Sequence, residues 1–333
     1  MATRKSKKVL SVLALIIILS MVLGTVASAL TGCGAAKKDD SVIRVAAMKG
    51  ATTIGLVNLV DKINKAETDN NYEFTMYTAG SDVMAAMVAG DIDIGLVPAN
   101  VACVMNTKVE GGVSVIDINT LGVLNCVSAD DSIASMADLS GKTVYSTGQG
   151  AVPEYTIRAL LEANGVTDCN LEFKSEPTEI VSIFAENPEA VAILPQPFVT
   201  AALAQNEALG ISFDLNDEWA KVNSGSKIVT GVTVASNSFI KDHKELVEAF
   251  LKDQKESTEK ALSDVDTTAA LVVEQGIIAK EPLAKKAIPN CSISFITGKE
   301  MRDALEGFLN VLYDQDPKSV GGSLPGDDFY YGA

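Results

Sequence analysis

The sequence predicts an α/β protein of two similar lobes, each a mainly parallel sheet flanked by helices, with two crossing strands between them. Three observations predict it. Strand and helix patterns alternate as βαβαβα in the first third of the 333 residues and again in the middle third. The two thirds share local devices. Ile94-Gly95-Leu96-Val97-Pro98-Ala99-Asn100 and Ala192-Ile193-Leu194-Pro195-Gln196-Pro197 both read as a buried strand, a proline stop and a helix start, and Val45 to Thr53 corresponds to Val144 to Ala151. Finally, Leu121 to Val127 and Ile228 to Val234 are extended apolar stretches containing Gly122 and Gly231, suited to cross from one lobe to the other. About 300 residues beyond the N-terminal leader supply ample core for such an arrangement.

In chain order, Arg4, Lys5, Lys7 and Lys8 precede an uncharged, mostly apolar run from Val9 to Leu30, followed by Thr31-Gly32-Cys33. A basic region before an apolar one is an export signal, although the run is also long enough for a transmembrane anchor. Residues 34–41 are small and charged, as in a tether. Ile43 to Met48 is a strand, and Lys49 to Thr53 turns into an amphipathic helix through Ile54, Val57, Leu59, Val60 and Ile63. Tyr72 to Tyr77 alternates as a second strand, and Ser81 is the expected N-cap of a helix ending near Gly90. Ile92 to Val97 is the third strand. The second unit runs from the strand Lys142 to Tyr145 through a helix closed by Gly165, the strand Leu171 to Phe173, the helix Thr178 to Ala185 and the strand Val191 to Leu194. Asn237 to about Glu274 reads as helical and completes the first lobe. The expected division is therefore 1–33 for the leader and 34–41 for the tether, then 42–123 with 232–333 for the first lobe and 124–231 for the second.

The formal net charge is −16, and removal of residues 1–32, which carry four positive charges and no acids, takes it to −20. Such a surface repels nucleic acid and anionic headgroups, so neither is an expected partner. Five cysteines include no C-x-x-C pair; Cys103 and Cys126 sit in apolar runs as buried thiols. With one histidine, His243, neither a zinc site nor a Ser-His-Asp arrangement is readily assembled, so no metal, cofactor or catalytic residue is expected.

The most informative stretch is Tyr145 to Arg158, in which a β-prone segment meets Gly148 and Gly150 and then Pro153 and Glu154 at a helix start. Such a terminus offers free N–H groups and the positive end of the helix dipole to an anion or a polarised oxygen. An ordinary βα connection has the same pattern. Ligands of open α/β sheets bind beyond the carboxyl ends of strands, so the glycine and proline turns of both lobes are expected to face one another across a cleft.

The leader ending at Cys33, Ile43-Arg44-Val45, Gly90 to Gly95, Asp138 to Tyr145, Ala192 to Phe198 and Ala287 to Cys291 together resemble lipoprotein substrate-binding proteins of ABC importers. The resemblance is to the group related to nitrate, sulfonate, taurine and pyrimidine-precursor binders, with the type II periplasmic-binding fold. It implies a lipid on Cys33 at the extracytoplasmic face of the cell membrane and a monomer that closes on a small anionic or zwitterionic ligand. The partners it implies are that ligand and ABC permease and ATPase subunits. Carried over position by position, the first-lobe contacts are Lys49, Gly50, Ala51, Thr52, Thr53, Gly80, Ser81, Pro98, Ala99 and Asn100. The second lobe gives Ser146, Thr147, Gly148, Gln149, Gly150, Ala151, Pro195, Gln196, Pro197 and Phe198, and Thr230 lies on the return crossing. Lys49, directly after a strand, is the expected partner of a ligand carboxylate or sulfonate; a solvated lysine is the plain alternative. Helix capping competes for Thr52 and Ser81, lobe core competes for Phe198, and Tyr155 and Trp219 suit either stacking or packing. A ligand-sensing receptor subunit, and an enzyme of the related pyrimidine-synthase type, are the alternative functions.

Overall fold

The computed structural model describes residues 39–223 and 225–333; the leader and most of the tether, with Cys33, lie outside the described residues. Two sheets organise the chain. Strands β1 (Val42–Met48), β2 (Asn71–Tyr77) and β3 (Ile94–Pro98) are parallel, with β1 in the middle. β2 is the edge, and its residues alternate between exposed Asn71, Glu73 and Thr75 and inward Tyr72, Phe74 and Met76. β3 is buried throughout, as its unbroken apolar run demands. β4 (Val113–Leu121), β10 (Val229–Ser236) and β11 (Ile293–Ile296) finish the sheet in the order β11-β4-β10-β3-β1-β2, with β10 antiparallel to both neighbours.

The second sheet runs β7-β6-β8-β5-β9, built from β5 (Leu124–Ser128), β6 (Thr143–Ser146), β7 (Asn170–Phe173), β8 (Val191–Pro195) and β9 (Gly210–Asp214). β6 is parallel to β7 and β8, and β5 is antiparallel to β8. The repeat read from the sequence reappears in the register: Val45 lies opposite Ile94 as Val144 lies opposite Val191. Pro98 lies across from Gly231, and Pro195 across from Leu124.

Helices α1 (Ala51–Ile54), α2 (Val57–Asn64), α3 (Gly80–Ala89) and α4 (Ala99–Lys108) serve the first sheet. The second has α5 (Val152–Ala163), α6 (Pro177–Glu186), α7 (Phe198–Gln205) and α8 (Leu215–Val222). The C-terminal part supplies α9 (Asn237–Asp242), α10 (Lys244–Ser263), α11 (Val265–Glu274), α12 (Glu281–Ala287) and α13 (Gly298–Gln315), so the helical stretch after Asn237 is interrupted at His243 and Asp264. α13 joins the two sheets: its Met301, Leu305, Phe308 and Leu309 share one apolar core with Val115 and Val232 of the first sheet and with Leu160, Leu215 and Trp219 of the second lobe. Among the described residues the core lies between Ile43 and Tyr330, inside the compact unit Ser41–Ala333, which therefore folds around its own interior.

Several expectations are corrected. The return passage does not run through Ile228 to Val234, because β10 lies wholly in the first sheet; the chain crosses between α8 and Val229, so Thr230 is a sheet residue. The outward crossing is the three residues Leu121-Gly122-Val123, and Leu121 already belongs to β4. β4, β9 and β11 were not anticipated. Ser81 is not the N-cap of α3; Ala79 is, and its N–H donates to Asp82 at 3.3 Å, leaving Ser81 exposed as the second helical residue. Cys103, Cys126 and Cys291 are buried free thiols whose burial pushes them up to about 12.

Candidate functional site

The loops at the carboxyl ends of β1, β3 and β6 approach one another. Gly80 packs on Pro98, which holds the α3 and α4 starts together. Across from them the turn Gly148-Gln149-Gly150 has both glycines at positive φ, 77° and 74°. Contact between the lobes is direct: Asn100 Nδ2 donates to the Gly150 carbonyl at 3.2 Å and to the Ser319 carbonyl at 3.1 Å. Gly150 N–H donates in turn to Glu154, which also holds Arg158 one helical turn on, each at 2.8 Å.

Many expected site side chains are committed internally. Thr53 Oγ1 donates to Met48 O at 2.5 Å, with Thr52 Oγ1 at 3.4 Å from the same oxygen, so both hydroxyls fold back onto the preceding strand. Ser146 Oγ donates to Ile193 O inside the second sheet. Gln196 Oε1 accepts from Thr200 N–H and Oγ1 in the first turn of α7, while its own N–H donates to Val123 O. Trp219 is core, with its ring 5.4 Å from Phe308 and the residue 1% exposed. Lys49 and Gln149 are exposed at the rim, and Lys49 has no ion pair among the described residues. Tyr155 and Phe198 are half-buried. Asn100 Oδ1 and Thr230 Oγ1 are buried with no hydrogen-bond partner.

Other polar residues at the crossing escaped the sequence reading. Asn216, on α8, donates to Gly122 O at 3.1 Å, and Ser292, before β11, donates to the same carbonyl at 2.8 Å. A Cβ on residue 122 would lie 1.9 Å from Asn216 Oδ1, so any larger residue would have to displace the Asn216 amide from its bond to the crossing. Asn119 Nδ2 donates to Thr233 Oγ1, beside Gln254 and the buried Asp117. The signal available was the run Val113-Ser114-Val115-Ile116-Asp117-Ile118-Asn119-Thr120, in which polar residues interrupt a β-prone stretch.

A surface cavity of about 550 Å³ opens at the far end of the first sheet, where Arg44, Gly90, Asp93, Glu110 and Lys241 line it. None of the expected site residues lies there. It opens at the amino ends of β1 and β3, whereas ligands of open α/β sheets sit beyond the carboxyl ends, so we take the loops joined by Asn100 as the candidate site. Among the described residues no group of His, Cys, Asp and Glu is placed to hold a metal ion, and no helix is long and apolar enough to cross a membrane.

The sequence matches the NMT1/THI5-like family over residues 71–267, more than half of the chain. The chain belongs to that family. Solved structures agree at the level of the fold, at low identity. An ABC transporter protein from Parabacteroides distasonis is 23% identical with a TM-score of 0.72, covering 87% of this chain and 99% of its own. The periplasmic aliphatic sulphonate binding protein SsuA of Escherichia coli is 14% identical at TM-score 0.68, with 87% and 98% covered. The periplasmic nitrate-binding protein NrtA of Synechocystis is 8% identical at TM-score 0.55, with 88% and 75% covered. No curated protein matches. This NMT1/THI5-like chain therefore has the type II periplasmic-binding fold that the sequence led us to expect.

Proposed function

We propose that the protein is a lipid-anchored, extracytoplasmic solute-binding protein that captures a small anionic or zwitterionic solute between its lobes and delivers it to an ABC permease. The observation that carries this reading is the meeting of the strand ends of both sheets at Asn100 and Gly150. That meeting sets the start of α4 and the glycine turn before α5 around one space, so N–H groups from both lobes converge on a ligand. Solved structures of the same fold include proteins described as binding aliphatic sulphonate and nitrate. Arg44, Arg158 and Arg302 are each ion-paired with carboxylates. Positive charge for a solute therefore comes from Lys49 and helix N-termini, which suits one sulfonate or carboxylate, or a pyrimidine-like ring, better than a multiply charged anion. Gly148, Gln149, Gly150 and Ala151 form the second-lobe wall, with Thr147, Pro195, Pro197 and Phe198 behind it; Gly50, Ala51 and Ala99 line the first. Binding without covalent chemistry fits the position of His243, beyond the Ser236 end of β10 and so at the opposite end of the first sheet from Pro98.

The test is a thermal-shift screen of residues 41–333 against sulfonates, carboxylates and pyrimidines, repeated with Lys49→Ala and Gln149→Ala. A solute at about a hundred times its dissociation constant adds about 2.7 kcal/mol of stability. We expect a hit in the wild type that both substitutions weaken. A panel that stabilises nothing would overturn the proposal, and a hit unaffected by either substitution would move the site away from this rim.

A further inference from the structure

Asn100 is the second residue of α4 and is 1% exposed. Its side-chain nitrogen spends both hydrogens on main-chain carbonyls, one in the second lobe's glycine turn and one in the C-terminal turn Pro317–Val320. Two carbonyl oxygens at that end admit only the amide nitrogen, since turning the amide over would set its oxygen against both. The arrangement fixes Oδ1 on the other side, where it is buried and meets no donor. Neighbouring oxygens in the same loops fared differently: the hydroxyls of Thr53 and Ser146 and the amide oxygen of Gln196 each found an internal partner. Buried acceptors are almost always paired, so an orphan at the meeting point of two lobes calls for a donor from outside the chain.

Resting on the solute-binding reading above, we propose that Asn100 couples closure to recognition: its Nδ2 latches Gly150 across the cleft, and its Oδ1 accepts a hydrogen bond from an N–H or O–H group of the bound solute. The bond to Gly150 exists only while the lobes meet, whereas the bond to Ser319 stays within the first lobe. Opening therefore frees one N–H and lets the amide turn, and closing presents the oxygen in a single orientation. The solute class narrows accordingly. It carries a hydrogen-bond donor in addition to its acidic or ring group, as in an amino- or hydroxy-substituted sulfonate or carboxylate or an amino-substituted pyrimidine. Bare oxyanions such as nitrate or acetate leave Oδ1 unpaired and bind poorly.

Two measurements on residues 41–333 test the proposal. Small-angle X-ray scattering without solute is expected to give a larger radius of gyration for both Asn100→Ala and Asn100→Asp than for the wild type. Asp keeps the shape but sets oxygen against the two carbonyls, so the pair separates loss of the latch from loss of volume. Unchanged radii in both would overturn the latch. Thermal shifts are then read for matched pairs differing by one donor: taurine against ethanesulfonate, glycolate against acetate, and 4-aminopyrimidine against pyrimidine. For whichever pair binds, the donor-bearing member is expected to bind about tenfold or more tightly, and Asn100→Ala is expected to erase the difference. Full discrimination retained by the variant would overturn the acceptor role. If no member of any pair stabilises the wild type, the solute-binding reading falls and the acceptor role with it, and the scattering result alone decides the latch.

Discussion

β10 in the first sheet and β5 in the second occupy the same place, each antiparallel to a strand that ends in proline, yet their surroundings differ. Opposite Pro98 stands Gly231, pressed so closely that a Cβ there would fall 2.4 Å from the Thr52 methyl and 2.6 Å from Asn119 Oδ1. Opposite Pro195 stands Leu124, an ordinary core residue. Behind Gly231 the first sheet buries Asp117, Asn119, Thr233 and Gln254 in one hydrogen-bonded group, whereas β5 packs with Leu194, Ile193 and Phe213, and its own buried polar residues, Asn125 and Ser128, make separate bonds to Val123 O and Ser212. The same strand order thus encloses a linked polar cluster on one side of the crossing and an interior with only scattered polar groups around β5 on the other. Apolar burial contributes directly to stability, while a buried polar group contributes little net unless every partner is present.

The largest effect we expect breaks the apolar seam that ties the second lobe to the C-terminal helix. Trp219 is fully buried against Phe308, and its indole nitrogen has no hydrogen-bond partner, so packing is what it contributes. Trp219→Ala should cost about 3–5 kcal/mol, read as the fall in unfolding free energy by denaturant titration. A loss under about 1 kcal/mol would mean that α13 does not hold the two lobes as the shared core implies.

The next sharpens the polar side. Burial pushes the Asp117 carboxyl up to about 7, against hydrogen bonds from Thr233 and Gln254 that lower it. The folded state therefore holds this proton more tightly than the unfolded chain does. The contribution is fully present below the ordinary carboxylate range, declines as pH rises, and is gone above about 7. Asp117→Asn removes the ionisable group and can offer a donor to Gln254 Oε1, which has none. At pH 8 the variant should be more stable than the wild type by about 1–3 kcal/mol, and at pH 4 the two should converge. Parallel curves across that range would mean that Asp117 is not the group responsible.

What the sequence disclosed follows the same division. The parallel strands, the proline stops and the glycine turns were legible because each rests on local chemistry: apolar runs of strand length, and residues that end them. β4 was not, since Asp117, Asn119 and Thr120 are all buried and break the alternation that marks a half-exposed strand. At the candidate site the glycine and proline turns are legible in the sequence, but the internal partners of individual side chains are not. Thr53, Ser146 and Gln196 are suited to a ligand by type, yet each lies within reach of a carbonyl or helix terminus of its own chain. Asn216 and Ser292, from distant parts of the sequence, bond to the same Gly122 carbonyl, a meeting that depends on where the crossing falls.

The smallest effect separates structure from charge at the second-lobe turn. Glu154 is 13% exposed and holds two donors, Gly150 N–H and Arg158 Nε, while Arg158 is 45% exposed. Removing the arginine leaves the carboxylate on the glycine turn at a helix N-terminus, where the dipole favours it. Removing the glutamate frees the Gly150 N–H and loses that favourable charge as well. Arg158→Ala should therefore cost no more than about 0.5 kcal/mol, and Glu154→Ala about 1 kcal/mol, both read by denaturant titration. Equal losses in the two variants would make the ion pair, rather than the anchored turn, the stabilising element. In that case Gly150 would reach Asn100 without help from Glu154.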